Sequence, residues 1–197
     1  MHLDRCWGEM MNDSIRAFFA IKPPSSMYNF LESLLKTLVH ADPKHFIKWI
    51  DVEKLHITLQ FIKSIQREDV DPLIKQVGAR LKDNTAFQLQ FDKLEWFPAP
   101  WRPRVLSLRV SPQETLKTLA ITLGQAIYAL NYPIETRPFR GHMSLGRLTY
   151  SRTPVASISR IKLSDIQPVV INEVYLIESQ SGKGKTVYSP LAQFNLS

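Results

Sequence analysis

Two short stretches of this chain carry the same order of side-chain types. His56-Ile57-Thr58-Leu59 and His142-Met143-Ser144-Leu145 each read histidine, apolar, hydroxyl, apolar. Side chains of a strand alternate between its two faces. Each stretch, if extended, therefore sets an imidazole beside a hydroxyl on one face and buries two apolar groups on the other. Strict alternation puts His56, Thr58 and Gln60 together, opposite Leu55, Ile57, Leu59 and Phe61. The chain has only 5 His, and at its content of Ser, Thr and apolar residues about 0.1 such stretches are expected by chance. Two of them are a signal.

The chemistry those groups can do is acid–base work on a phosphodiester. Imidazoles titrate near pH about 6.5, so a pair can stand with one ring neutral and one protonated. The neutral ring takes a proton from water and the charged ring gives one to the leaving ribose oxygen, each worth about 10²–10⁴-fold in rate. The hydroxyls of Thr58 and Ser144 can donate hydrogen bonds to non-bridging phosphate oxygens, where charge builds in the transition state. This scheme requires no metal and no cofactor. Neither histidine has Asp, Glu or Cys at ligand spacing, and the chain has a single cysteine, Cys6, so it is a poor zinc set. Either histidine alone could be a strand-edge residue satisfied by its hydroxyl neighbour; the matched pair argues otherwise.

The elements that must position the two stretches also repeat. Residues 16–21 (RAFFAI) predict a strand, and Ser25 or Ser26 an N-cap for a helix running through Val39. After an extended piece at 47–50, residues 55–62 (LHITLQFI) alternate as a strand. A helix follows over 70–81, with Pro72 in its first turn, and then a strand over 87–91. Residues 96–103 (WFPAPWRP) read as a loop. The order then recurs: a strand at 104–110, a helix over 116–130, a proline-containing loop, and the second histidine at 141–148. A less regular segment spans 154–166, and strands at 169–178 and 186–196 are joined by SQSGKGK. Such a repeat sets architecture. It predicts two pseudo-twofold lobes of α+β type, with antiparallel sheets lining a central cleft and helices outside.

A chain of 197 residues that is 44% hydrophobic suits one bilobal domain, expected over 14–197, behind a loosely ordered leader at 1–13. Met1 and Met11 are both candidate starts. No apolar run approaches the roughly 20 residues of a membrane span, and the first residues lack a signal peptide's apolar core. The expected setting is cytoplasmic, as a monomer with no membrane and no protein partner. The net charge of +7 favours a polyanionic partner.

At the two histidine stretches the sequence resembles the 2H phosphoesterase superfamily, and within it the bacterial RNA 2′,3′-cyclic phosphodiesterases, also called 2′-5′ RNA ligases. Beyond the twin motifs the similarity includes RAFFAI, FPAPWRPRVLSL, FRGHMSLGR and the closing VYLIESQSGKGKTVYSPLAQFNL, so it runs from about Arg16 to Leu196. The resemblance implies an RNA substrate with a 2′,3′-cyclic phosphate end, tRNA fragments among the candidates, opened to a 2′-phosphate. It also implies reversible joining to a 5′-hydroxyl without a nucleotide cofactor. It makes His56 the leaving-group acid, His142 the base, and Thr58 and Ser144 the phosphate holders. Arg147 matches an arginine common five residues after the second histidine; a bulge at Gly146 could turn it to the cleft.

The chain departs from that pattern at Gln60, where an arginine is common, at Lys63, at Gly141 in place of proline, and at Ser144 in place of threonine. Phe61, Arg102, Phe139 and Arg140 are candidate RNA contacts. Trp96, Phe97 and Trp101 are further stacking candidates, and Lys44, Lys48, Lys54, Arg104 and Arg137 complete a candidate basic rim. Rival readings are a 2H enzyme for a small cyclic nucleotide, such as ADP-ribose 1″,2″-cyclic phosphate or a nucleoside 2′,3′-cyclic phosphate, and a non-catalytic RNA-binding module.

Overall fold

The run RAFFAI forms β1 (Ser14–Ile21), and its lack of alternation has a simple cause: the strand is covered on both faces. Phe19 and Ile21 join the main core, while Phe18 and Ala20 join a small second cluster with Ile177 on the other face. The computed structural model describes residues 13–149, 155–163, 166–182 and 186–197. The expected leader therefore lies outside the described residues apart from Asp13, as do parts of the segment at 154–166 and of the SQSGKGK turn.

The remaining elements follow in order as α1 (Tyr28–His40), β2 (Ile47–Trp49), β3 (Ile57–Gln66), α2 (Val70–Leu81), β4 (Phe87–Phe97), β5 (Val105–Ser111), α3 (Gln113–Tyr128), β6 (His142–Leu148), β7 (Val169–Ile171), β8 (Glu173–Ser181) and β9 (Thr186–Asn195). Helical spacing puts Leu31, Leu34 and Leu38 of α1, Leu73, Val77 and Leu81 of α2, and Leu116, Leu119, Leu123 and Ile127 of α3 into one core. Ile57, Leu59, Met143 and Leu145 enter that core from the strands. The helices therefore cover the sheet face opposite the two histidines.

Among the described residues the strands form one antiparallel sheet in the order β7-β4-β5-β6-β3-β1-β8-β9, with β2 also paired to β6. The order is symmetric about the β6–β3 junction. β3 pairs with β1 as β6 pairs with β5, and β8 and β4 occupy matching outer places. The expected α+β fold and pseudo-twofold lobes are present, but the lobes are halves of one curled sheet, not two separate sheets. Their junction is narrow: Ile57 opposite Met143 is the registered β3–β6 pair, and both side chains are fully buried.

Three sequence expectations need correction. Ser25 and Ser26 do not cap α1; they form a 3-10 turn with Met27, and no side chain caps either element. Trp96 and Phe97 belong to β4 and not to a loop, because Trp96 is buried against the core. The single strand expected at 169–178 is two strands broken at Asn172. The first, β7, pairs with β4 at one end of the sheet, and β8 pairs with β1 in the other half. The chain thus crosses between halves within one residue of non-strand backbone, which no local pattern announces.

Candidate active site

The Ile57–Met143 pair fixes the geometry. In an antiparallel pair, one step forward on β3 meets one step back on β6. Thr58 therefore neighbours His142, and His56 neighbours Ser144, all on the face away from the core. Cross-strand Cβ atoms lie about 4.5–5.5 Å apart and diagonal neighbours about 7–8 Å, so two imidazoles and two hydroxyls form a crossed quartet. The arrangement suits a single phosphate, with a ring available on either side of it.

Both strands are bulged at the equivalent point. Ala20 pairs with Thr58 and Phe19 with Gln60, leaving Leu59 as the extra residue. Ser107 pairs with Ser144 and Leu106 with Gly146, leaving Leu145 as the extra residue. A bulge reverses the alternation beyond it. The fifth residue after each histidine thereby returns to the cleft: Phe61 in one half and Arg147 in the other, and both line the cavity. The expected re-aiming of Arg147 occurs, but its bulge is at Leu145. Gly146 has a different task, since a Cβ there would stand 2.4 Å from Ile47 Cγ2 and 3.1 Å from Trp49 Cε3. Gln60 is a correction to the strict-alternation reading. It faces α3, where its Nε2 donates to the Ala120 carbonyl at 3.0 Å.

Each imidazole is held by the same local bond. His56 Nδ1 lies 2.7 Å from the carbonyl of Lys54, and His142 Nδ1 lies 2.9 Å from the carbonyl of Arg140. A carbonyl only accepts, so Nδ1 carries the hydrogen in both rings and Nε2 is left for chemistry. Burial pushes both pKa values below the ordinary histidine value. The bonds to the Lys54 and Arg140 carbonyls oppose that shift. The remaining charges differ between the halves: Lys22, His142 and Arg147 lower His56 further, whereas at His142 Glu95 raises the value and Arg140, its ion-pair partner, lowers it.

Aromatic rings orient both imidazoles. Phe18 lies 4.8 Å from the His56 ring, with Tyr188 edge-on at 5.5 Å. Phe97 stacks on His142 at 3.9 Å with an interplanar angle of 19°. Phe97 was a candidate for base stacking; its ring instead contacts His142, with the Arg140 guanidinium 5.0 Å over it. Arg140 also pairs with Glu95 at 2.8 Å and donates to the Pro98 carbonyl at 3.1 Å. Phe18, Tyr188 and Glu95 were not singled out from sequence, because nothing local distinguishes them from core aromatics and surface carboxylates.

A cavity of about 750 Å³ opens beside the quartet. It reaches His56, Thr58, Ser144, Arg147 and Phe61, and draws Arg16, Lys48 and Lys54 around them. His142 stands just outside its lining as the cross-strand neighbour of Thr58. The structure does not bring the other candidates here: Phe139 packs on the main core, and Arg102 and Arg137 are exposed and outside this lining. Trp101 is 87% exposed on the loop after β4. Among the described residues no group of three or more His, Cys, Asp or Glu is placed to hold a metal, and no helix is long and apolar enough to cross a membrane.

Comparison with known proteins gives the same picture. Residues 21–107 match the model of the LigT like phosphoesterase family. A protein of Aquifex aeolicus named RNA 2′,3′-cyclic phosphodiesterase is 26% identical over 189 residues, covering 92% of this chain and 97% of that protein. One of the same name from Archaeoglobus fulgidus is 27% identical over 148 residues, 74% of this chain and 80% of its own length. The crystal structure of E. coli LigT with 3′-AMP superposes with a TM-score of 0.74 at 23% identity, over 93% of this chain and 99% of that one. TT0787 of Thermus thermophilus superposes at 0.71 and 22% identity, over 92% and 98%. Over residues 21–107 the chain is thus similar to the LigT like phosphoesterases, over most of its length to proteins named RNA 2′,3′-cyclic phosphodiesterase, and in fold to LigT.

Proposed function

We propose that the protein hydrolyses the 2′,3′-cyclic phosphate end of RNA to a 2′-phosphate, with His56 and His142 as its catalytic pair. The observation that carries this is the crossed quartet: two Nε2-presenting imidazoles and two hydroxyls registered across β3 and β6. The names of the relatives supply the substrate class.

In this reading the phosphate rests between Thr58 and Ser144, whose hydroxyls donate to its non-bridging oxygens. Arg147 adds a positive charge. His142 Nε2 takes a proton from water as the water oxygen bonds to phosphorus. The P–O3′ bond breaks, and His56 Nε2 gives its proton to O3′, leaving a 3′-hydroxyl and a 2′-phosphate. The charges around the rings suit that order. Glu95 stabilises the imidazolium that forms on His142, while Lys22 and Arg147 make a protonated His56 a stronger acid. The anionic substrate itself supplies the counter-charge that lets His56 hold its proton before reaction. Phe61, on the cavity wall beneath Arg16, offers a ring for the terminal base. On this reading the enzyme acts as a monomer in the cytoplasm.

The test is turnover of a short RNA ending in a 2′,3′-cyclic phosphate, in EDTA, by wild type, His56→Ala and His142→Ala. Each variant is expected to lose about 10²–10⁴-fold in kcat, and the double variant much less than the product of the two, because the groups act as a unit. Full activity in either single variant would refute the assignment.

A further inference from the structure

Lys48 of β2 is registered directly opposite Arg147 of β6, and both side chains line the same cavity. The chemistry above makes no use of Lys48. Like charges directly opposite on a sheet destabilise it. Neither has an acidic partner among the described residues, whereas nearby Lys54 is paired with Asp51 at 2.7 Å. The close approach that creates the pair is enforced, because β2 can sit against β6 only where Gly146 lacks a side chain. Two unneutralised cations side by side in a cleft are an anion site in need of its anion.

The position says which anion. Arg147 follows Ser144 by three residues on a bulged strand, roughly 7–10 Å along β6 at ordinary rise. A phosphate held on Ser144 and Thr58 is within reach of the long Arg147 side chain. Lys48, one strand further out, lies beyond it and faces the next charge of a chain entering the cleft from the β2 side.

Resting on the proposed function, we infer that Lys48 forms a second phosphate subsite. It takes the phosphodiester linking the terminal nucleotide to the one before it, so the cleft selects an oligonucleotide end over a mononucleotide. Arg147 bridges the two phosphates, and Lys48 supplies the selectivity.

Two arms test this with wild type, Lys48→Met and Lys48→Arg. In the first, kcat/KM is measured for adenosine 2′,3′-cyclic phosphate and for the dinucleotide ApA bearing a 2′,3′-cyclic phosphate. Lys48→Met is expected to cut the dinucleotide-to-mononucleotide ratio about tenfold, and Lys48→Arg to restore most of it. In the second, binding of the 2′-phosphorylated dinucleotide is followed by calorimetry against salt. Each phosphate contact contributes a slope of about −0.7 in log affinity against log salt for a single strand, so Lys48→Met should flatten the slope by that amount. An unchanged ratio and an unchanged slope, with the variant folded, would overturn the subsite. The binding arm stands without turnover. A wild type that binds the dinucleotide in this Lys48-dependent way yet opens no cyclic phosphate would sink the catalytic reading and leave the subsite intact.

Discussion

At His56 and His142 burial acts in one sense and the neighbouring charges in two. Desolvation lowers both pKa values, cations lower His56 further, and at His142 the Glu95 carboxylate lifts the value against the smaller opposing effect of Arg140. The pH profile of kcat/KM reports the free enzyme, and the two rings titrate as a coupled pair. A bell with its alkaline limb below pH about 6.5 is therefore expected, shifting upward in kcat once the anionic substrate is bound. Glu95→Gln removes the charge that favours the His142 imidazolium. The His142 pKa then falls, so the limb of the profile that His142 sets should move to lower pH in the variant. A profile in which neither limb moved down would detach Glu95 from His142. The stack of Phe97 on His142 is a positioning contact, and the Glu95–Arg140 pair lies behind it.

Among the elements, β2 shows how little sequence decides a large effect. Three residues pair with β6 across Gly146, and a methyl group there would overlap Ile47. Gly146→Ala should cost about 1–3 kcal/mol of stability by overpacking, read as a shift of the urea midpoint. It should also weaken substrate binding, because Lys48 and Arg147 are set by that same pairing. A variant with wild-type stability would mean that β2 yields freely. The twin bulges are the other decisive local feature. They turn Phe61 and Arg147 toward the cavity and Gln60 toward α3, so the position where related sequences carry an arginine faces α3 here and not the cavity.

For the whole molecule, β3 and β6 meet at the buried Ile57–Met143 pair, and β2 strengthens the junction by pairing with β6. Met143→Ala should cost about 2–5 kcal/mol and loosen the quartet, so its kcat should fall even at temperatures where the variant remains folded. One continuous sheet and one main core predict a single cooperative unfolding transition by calorimetry; two resolved transitions would mean the halves fold separately. Stability also depends on pH. Both imidazoles have folded pKa values below the ordinary value, so as pH falls the unfolded chain takes up protons first. Their contribution is fully present above pH about 6.5 and is lost as the pH falls from there through the folded values. Urea midpoints at pH 7 and pH 5 measure this, and a midpoint that rose on acidification would contradict it.

The sequence by itself determined the motif residues, the repeat that carries them and most of the elements. These depend on side-chain periodicity: alternation at 57–59 and 143–145, and helical spacing of leucines in α1, α2 and α3. It also held the exception in β1, since an unbroken apolar run is what a strand covered on both faces requires. What only the tertiary structure decided depends on contacts between residues far apart in the chain. The bulges at Leu59 and Leu145 exist relative to β1 and β5 and have no local code. The break at Asn172 sends β7 and β8 to opposite halves of the sheet. The pairing of Phe97 with His142, of Glu95 with Arg140, and of Lys48 with Arg147 each joins separate strands or loops. Periodicity tells a strand which face is apolar; only the partner strand settles which residues of the other face meet.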